Sequence, residues 1–584
     1  MMVPRHKLAP SLVPSWEETC PDRFAFELDD LEPIVRDSLY IDEDALASGV
    51  LSLSFEWPLR DGNIVPLRAE FPDSYPFVRP AVFLNTDPRQ FPKRHCSPLD
   101  GMLCLLGRDT GLWPIKWTLA RLLENQLENA LQGQGLEDPQ GEPIEVWWNH
   151  TAASAPGSFV LVDSSWNLGE ADEGSITLRF IAHRDERTIL FNAAVEEVRS
   201  ADGSVIVRRD FPLPRALAAG KVASFPWRRR EYFPPYPADR IPEEVRRELA
   251  RTSTVVEMGL FAFSMSIIVQ QTELSIGKRG DSWLFALQFG PKKSFRHAKP
   301  NKRETRPSLT IVPTYRAGKE DIGSRVPGVG ALRGKTVAVV GLGGIGGPLA
   351  LELARNGCSR LMLVDHDVVE PGNSIRWPLG SSAWGSLKAH SLADFIRSEF
   401  PWCEPFPEDV FLGAASPPGH GDDALFAKIL GGADLIVDAT ASSGISRLLA
   451  ARCRTAGKPL VSVFGTLSLK GGVVAGYHPM SGCPTCREFL YQKNPEMKAP
   501  GSGDMSGLLQ PAGCAEATFT GSSYDLKELS LEAIRMIVDV LTDPDSFHSS
   551  VLHTLSLYDG RKRQPPIWRV DQLPAQEECG CQKL

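Results

Sequence analysis

The sequence predicts a multidomain α/β protein in three parts: an N-terminal α+β domain, a β-rich linker domain and a C-terminal doubly wound domain with a Rossmann-like pattern. Three observations carry this. Strand-like runs separated by Asp/Gly and Pro turns precede a leucine-rich helix near the N-terminus. Apolar stretches without helical period fill the middle, and from Lys335 onward strand, glycine-rich turn, helix and strand recur in order. A chain of 584 residues suits three or four folding units at about 150 residues each. The pattern changes place the domains at 1–147, 148–322 and 323–584.

Composition excludes several classes. With 42% hydrophobic and 23% charged residues the chain is neither collagen-like nor wholly disordered. A net charge of −9 gives no uniformly basic field, and the run Trp227 to Arg230 reads as a solvated or pairing face, so nucleic acid is not an expected partner. The longest apolar stretch, Gly259 to Val269, falls short of the roughly 20 residues of a membrane span and reads as a buried strand or helix. Arg5, His6 and Lys7 are followed by no apolar run, so neither a secretory signal nor a membrane is expected. The expected location is the cytoplasm, where the 11 cysteines stay reduced and serve catalysis or metal binding rather than a disulfide framework.

In the first domain, VLSLSFEW from Val50, NIVPLRAEFP and PAVFLN form an antiparallel meander. An irregular Pro/Gly-rich stretch runs to Pro114, and Thr118 caps a helix reaching Leu131. In the linker domain SFVLVDSSW, SITLRFIAH, TILFNAAVEEV and SVIVRRDF are strands, followed by FPPYPADRIP, a short charged helix and further strands; no chemical motif stands out there.

The third domain opens with KTVAVVGLGGIGGPLALELARNG and then RLMLVD. Gly341, Gly343, Gly344 and Gly346 lie between a β-branched strand and an Ala/Leu-rich helix. Glycines permit the tight turn and close approach of backbone to phosphate, and the helix N-terminus supplies N–H groups. Asp365 ends the second strand where an acid reaches a ribose hydroxyl. This is a nucleotide site.

A dinucleotide-dependent dehydrogenase shares that opening, and the next residues decide against it: Asp365-x-Asp367, Asn373, Arg376, Gly385-x-x-Lys388, and Asp438 closing ADLIVDAT. In this order, over about 325–540, the segment resembles the ubiquitin-activating enzyme superfamily of ThiF/MoeB type, which includes bacterial adenylyltransferases for sulfur-carrier proteins. The resemblance implies ATP and Mg²⁺ as cofactors, with Asp365 and Asp367 on the nucleotide side. It places Asp365 on the ribose, Asn373, Arg376 and Lys388 on the phosphates, and Asp438 in support of Mg²⁺. Attack of a carboxylate on the α-phosphate builds charge that Arg, Lys and Mg²⁺ stabilise. Many relatives carry Asp where this chain has Ala441, a departure at the metal side.

A thioester needs a thiolate favoured by a helix N-terminus or nearby cations. Cys514, in LLQPAGCAEATFTGSSYDLKELSLEAIRMI, precedes such a helix. In the activating-enzyme relatives a cysteine ahead of a helix carrying the equivalent of Glu532, Ala533, Ile534 and Arg535 forms the thioester or persulfide. A buried structural thiol is the alternative. The second candidate is Cys104. The string AEFPDSYPFVRPAVFLN, with Phe71, Pro72, Tyr75, Pro76 and Pro80, leads to His95, Gly101-Met-Leu-Cys104-Leu, Trp113 and Trp117-Thr-Leu. Over about 15–140 this order resembles the ubiquitin-conjugating enzyme core and puts its catalytic cysteine at Cys104. The family's His-Pro-Asn is here His95-Cys96-Ser97, which lacks the asparagine. Cys96 stays open as a competing nucleophile, and a module that binds without reacting stays open too. Tyr75 and Trp117 read as core aromatics.

Cys483-Pro-Thr-Cys486 and Cys579-Gly-Cys581 together offer the four thiolates of a closed structural Zn²⁺ site. The activating-enzyme relatives pair two such elements in these places. The alternative is a reduced, metal-free pair with a frayed tail. Cys20, Cys358, Cys403 and Cys453 have no partner pattern and read as packing residues.

The order conjugating-like module, β-rich linker, activating-like module resembles the bacterial fusion proteins of CBASS anti-phage operons. What that implies is ubiquitin-ligation-like chemistry. ATP adenylates the C-terminal carboxylate of a protein, a cGAS-like nucleotidyltransferase that makes cyclic oligonucleotides. Cys514 displaces AMP, Cys104 accepts the acyl group, and a Lys amine of a target protein attacks. A homodimer through the activating domain is implied as well. Two alternatives remain at this point: an adenylyltransferase for a ubiquitin-like sulfur carrier whose N-terminal module only recruits, and a noncatalytic scaffold.

Overall fold

The computed structural model of the chain describes residues 16–86, 95–97, 99–106, 113–132, 143–151, 157–184, 189–231, 233, 235–236, 241–250, 254–275, 277–296, 307–326, 329–413, 422–509 and 518–581. The chain divides into two compact units, 1–210 with 219–322, and 211–218 with 323–584.

In the first unit the three expected strand runs become Leu51–Pro58, Ile64–Phe71 and Ala81–Leu84, with the short Tyr40–Ile41 ahead of them in a four-stranded sheet that follows chain order. Every neighbouring pair in it is antiparallel. Alternation decides the inner face: Leu51, Leu53, Phe55 and Trp57 point in from one strand, and Val65, Leu67, Ala69 and Phe71 from the next. The helix Pro21–Val35 buries Leu31 and Val35 against this face, and Leu119–Gln132 adds Leu119, Leu122, Leu123 and Leu127. One buried carboxylate ties these pieces together. Glu27, 1% exposed, accepts from the Leu119 amide at 2.8 Å, from Arg23 Nη2 at 2.8 Å and from the Tyr75 hydroxyl.

The rest of the unit is a ten-stranded sheet. Its path runs Ser308–Val312, Lys278–Pro291, Phe261–Ser275, Lys221–Arg229, Glu173–Arg184, Ile189–Ser200, Phe159–Val162 and Thr314–Arg316; Val255–Met258 and Val205–Arg208 pair off this path. The long apolar stretch of the sequence is the strand Phe261–Ser275. The helix Ile144–Thr151 belongs to this layer, because Ile144 and Trp148 share a core with Phe233, Leu249, Ile268, Leu284 and Ile311. A boundary at 147 therefore cuts that helix, and the second core begins by Ile144. Residues 211–218 also depart from the expected linker: Phe211 and Leu217 are buried, and the helix Arg215–Ala218 lies against the helix Lys388–Glu399 of the second unit.

The second unit is built on an eight-stranded sheet in the order Glu404–Glu408, Arg360–Val364, Thr336–Val340, Leu435–Asp438, Leu460–Gly465, Gly471–Tyr477, Ser550–Asp559, Lys562–Leu573. The first five strands are parallel and the remainder antiparallel. Helices cover both faces, so the central strands are apolar without alternation. Val337 and Val339 face one core with Leu349, Leu353 and Ile537, while Ala338 and Val340 face the other with Ile436 and Leu449. Successive crossovers leave Thr336–Val340 in opposite directions, to Arg360–Val364 on one side and Leu435–Asp438 on the other. That reversal opens a crevice at the carboxyl ends of these strands. Among the described residues no helix is long and apolar enough to cross a membrane.

Candidate functional site

At the crevice, Gly341 leaves the strand at φ +86° and its amide donates to Val364 O at 2.9 Å. Gly346 starts the helix Gly346–Arg355, and a Cβ there would stand 1.9 Å from Gly341 O, so the turn closes only around a residue without a side chain. Gly343 is different: a Cβ on it would meet no atom within 4 Å. Its backbone faces the open space above the helix N-terminus, where an anion is favoured. A Cβ on Gly344 would lie 3.6 Å from Arg376 Cδ, which places the Arg376 stem beside the turn.

Asp365 braces this turn. Its Oδ2 accepts from the Leu342 amide at 2.6 Å and its Oδ1 from the Asp367 amide at 2.8 Å. Asp367 in turn pairs with Lys388 Nζ, and Lys388 is 8% exposed. Asn373 Oδ1 accepts from the Glu370 amide at 3.1 Å within a capped 3₁₀ turn over Pro371–Ile375. Arg376 donates to Phe519 O at 2.5 Å and to Thr518 Oγ1 at 2.9 Å, and its guanidinium lies 5.1 Å from the Phe519 ring centroid. Expected on phosphates, it grips the chain beyond Cys514.

Asp438 is 1% exposed and fully engaged. Oδ1 accepts from the Thr440 amide at 3.1 Å and from Thr440 Oγ1 at 2.7 Å; Oδ2 accepts from Ser462 Oγ at 3.0 Å and from Ser446 Oγ. With both oxygens taken, Asp438 anchors the strand end. Ala441, at the position of the absent Asp, sits at φ +57°. Sequence reasoning missed Thr440, Ser446 and Ser462, two of which come from other elements.

The Cys104 region is a small ladder of three segments. The Leu103 amide donates to Val82 O at 2.7 Å and the Leu84 amide to Gly101 O at 2.8 Å, around the bridge of Phe83 with Met102. On the other side Cys96 bridges Leu103 and the Cys104 amide donates to His95 O at 2.8 Å. Alternation then sorts the thiols. Leu103 and Cys96 point into the core, at 1% and 4% exposure, and Cys104 points out and is exposed. Burial pushes the Cys96 thiol up to about 12, which disfavours its thiolate at neutral pH. Its burial and raised thiol disfavour Cys96 as the competing nucleophile. Burial also pushes Cys358 and Cys453 up to about 12 and raises Cys403, as packing residues require. Cys20 departs from that expectation: it precedes the helix Pro21–Val35 and is exposed.

Cys514 lies outside the described residues. On either side of it Leu508–Leu509 and Thr518–Phe519 pair antiparallel. The next helix, Ser523–Thr542, is capped by Ser522 and carries Glu532, Ala533, Ile534 and Arg535.

The four tail and turn cysteines converge. The sulfurs of Cys483, Cys486, Cys579 and Cys581 all lie within 4.8 Å of one another. The pairs Cys483–Cys486, Cys483–Cys579 and Cys486–Cys581 are 3.8, 3.4 and 3.5 Å apart, too long for disulfides. Tetrahedral zinc with Zn–S of about 2.3 Å demands S···S of about 3.8 Å, so the donor set fits that ion. Sequence reasoning missed the surroundings: Arg454 Nη2 is 3.8 Å from Cys581 Sγ, and the Gln576 amide donates to Cys486 Sγ at 3.3 Å. Both polarise thiolates, as outer ligands of metal sites do.

Residues 321–567 match the ThiF family. Over 564 residues the chain is 44% identical to "Uncharacterized protein y4qC" of Sinorhizobium fredii, spanning 95% of this chain and 96% of that protein. It is 30% identical over 236 residues to the "SAMP-activating enzyme E1" of Haloferax volcanii, covering 37% of this chain and 81% of that enzyme. It is 30% identical over 250 residues to the "Adenylyltransferase and sulfurtransferase uba4" of Aspergillus fumigatus, covering 42% of this chain and 46% of the relative. With the glycine turn, its bracing acid and the switch-point crevice in the matched region, the chain belongs to the ThiF family.

Proposed function

We propose that the chain adenylates the C-terminal carboxylate of a protein and carries the acyl group as thioesters, first on Cys514 and then on Cys104, to a lysine amine of a target. The observation that carries this is the pairing, on one chain, of a ThiF-family nucleotide turn with an exposed Cys104 whose neighbouring thiol is buried. The S. fredii relative spans both parts, which supports their acting together.

The steps balance simply. A carboxylate oxygen attacks the α-phosphorus of ATP and pyrophosphate leaves. The Cys514 thiolate attacks the acyl carbon and AMP leaves; the Cys104 thiolate repeats the exchange; the amine forms the amide and Cys104 departs as thiolate. Asp365 orients the ribose, while Arg376, Lys388 and Asn373 meet the phosphates once nucleotide draws Lys388 from Asp367 and Arg376 from Thr518. Mg²⁺ supplies further positive charge to the phosphates. Zinc on the four cysteines fixes the tail against the turn before the helix Pro484–Lys493. Within the resemblance to CBASS fusion proteins the activated protein is a cGAS-like nucleotidyltransferase and the enzyme a cytoplasmic homodimer.

A second reading is favoured by the name of the uba4 relative, an adenylyltransferase and sulfurtransferase. Here the adenylated partner ends as a thiocarboxylate, and the N-terminal module serves recruitment. Mass spectrometry of the partner after incubation with ATP and Mg²⁺ separates the two: an isopeptide-linked adduct supports the first, a 16-Da gain at the C-terminus the second, and an unaltered partner defeats both.

A further inference from the structure

We infer that Arg79 is a catalytic residue of the Cys104 centre, donating hydrogen bonds to the carbonyl oxygen of the Cys104 thioester as that oxygen becomes an oxyanion. The inference rests on reading Cys104 as an acyl carrier, and it answers what stands in for the absent asparagine.

The ladder fixes the neighbours. With Phe83 opposite Met102 and Val82 bonded to Leu103, the antiparallel register places Ala81 opposite Cys104. Arg79 lies two residues before Ala81, just ahead of the strand Ala81–Leu84, and is close enough to Cys104 for the thiol to act on its charge. His95 occupies the opposite flank. The Arg79 guanidinium is half-buried, which lowers its pKa, and the nearby Cys104 sulfur works in the other direction. One Arg79 nitrogen also donates to Pro80 O at 3.4 Å, and a guanidinium with five N–H donors serves several acceptors.

Ser97, at the asparagine position, does not fill the role. It is 8% exposed, and its hydroxyl accepts from the Leu99 amide at 3.4 Å within its own turn. A cation beside the carbonyl suits the step: the amine nitrogen attacks the thioester carbon, the carbonyl oxygen takes the electron pair, and the amine proton passes to water. The C–S bond then breaks with its pair on Cys104 Sγ. Both oxyanion and departing thiolate are stabilised by one guanidinium.

The test uses the full chain and two readouts. Cys104 is alkylated with iodoacetate or with neutral iodoacetamide, with exposed Cys20 as internal standard. Removing a unit charge in Arg79→Gln should lower the iodoacetate-to-iodoacetamide rate ratio at Cys104 about 3- to 5-fold, with Cys20 unaffected and Arg79→Lys close to wild type. Discharge of the preformed Cys104 thioester to hydroxylamine should slow about 100-fold in Arg79→Gln, with partial recovery in Arg79→Lys. An unchanged ratio at Cys104, or discharge at the wild-type rate, overturns the proposal. If Cys104 never charges in wild type the relay reading fails by itself, and the alkylation ratio still judges Arg79.

Discussion

The Cys104 amide donates to the His95 carbonyl across 2.8 Å, and this bond makes the two residues cross-strand partners on the outer face of a ladder whose inner face holds Leu103 and Cys96. Two thiols eight residues apart in sequence thus acquire opposite chemistry. Brief alkylation of the native protein at pH 7.5, followed by peptide mass spectrometry, should label Cys104 and Cys20 and spare Cys96, Cys358 and Cys453. Labelling of Cys96 at a rate matching Cys104 would refute the burial assignment.

The Glu27 carboxylate is worth testing by both mutation and pH. Glu27→Ala leaves Arg23 and the Leu119 amide without their shared acceptor, and loss of one member of such a buried pair costs about 3–5 kcal/mol. Burial raises the Glu27 carboxyl above the ordinary glutamate value. The folded state therefore holds this proton more tightly than the unfolded state. The associated stability is fully present below the ordinary value and is lost as pH rises through the raised folded value. Urea unfolding across that window should show a declining slope in wild type, absent in Glu27→Gln.

Two glycines of the nucleotide turn should fail differently. Gly346→Ala forces a methyl into Gly341 O and should destabilise the second unit by about 3 kcal/mol or more. Gly343→Ala meets nothing in the protein, so its thermal stability should match wild type while ATP–pyrophosphate exchange falls at least tenfold. Equal exchange activity in Gly343→Ala would show that phosphate does not approach that backbone.

How much of this was legible beforehand depended on range. The glycine turn was readable because strand, turn and helix lie within thirty residues, whereas the bracing of that turn by Asp365 through the Leu342 amide was not. Which thiol near His95 faces solvent was not, since it is set by pairing among 82–84, 95–97 and 101–104. The saturation of Asp438 was likewise hidden: Ser446 comes from a helix and Ser462 from the next strand. The resemblance puts Arg376 on the phosphates, and its grip on Thr518 and Phe519 depends on a contact over 140 residues apart in sequence. The two cysteine pairs were visible as a tetrad, but Arg454 beside them was not.

The tetrad itself predicts about one zinc per chain by plasma mass spectrometry of protein purified without chelator. Cys486→Ser should lower the zinc content and the melting temperature of the second unit, at about 2–4 °C per kcal/mol for a domain of this size. Full zinc content in Cys486→Ser would place the metal elsewhere.

The relay is tested most directly by nonreducing gels of the full chain with ATP, Mg²⁺ and its protein substrate. Wild type should show a thiol-sensitive adduct on Cys104, Cys104→Ala should retain one on Cys514, and Cys514→Ala should lose both. A Cys104 adduct that forms undiminished in Cys514→Ala, or no adduct on either thiol in wild type, would contradict transfer from the first cysteine to the second.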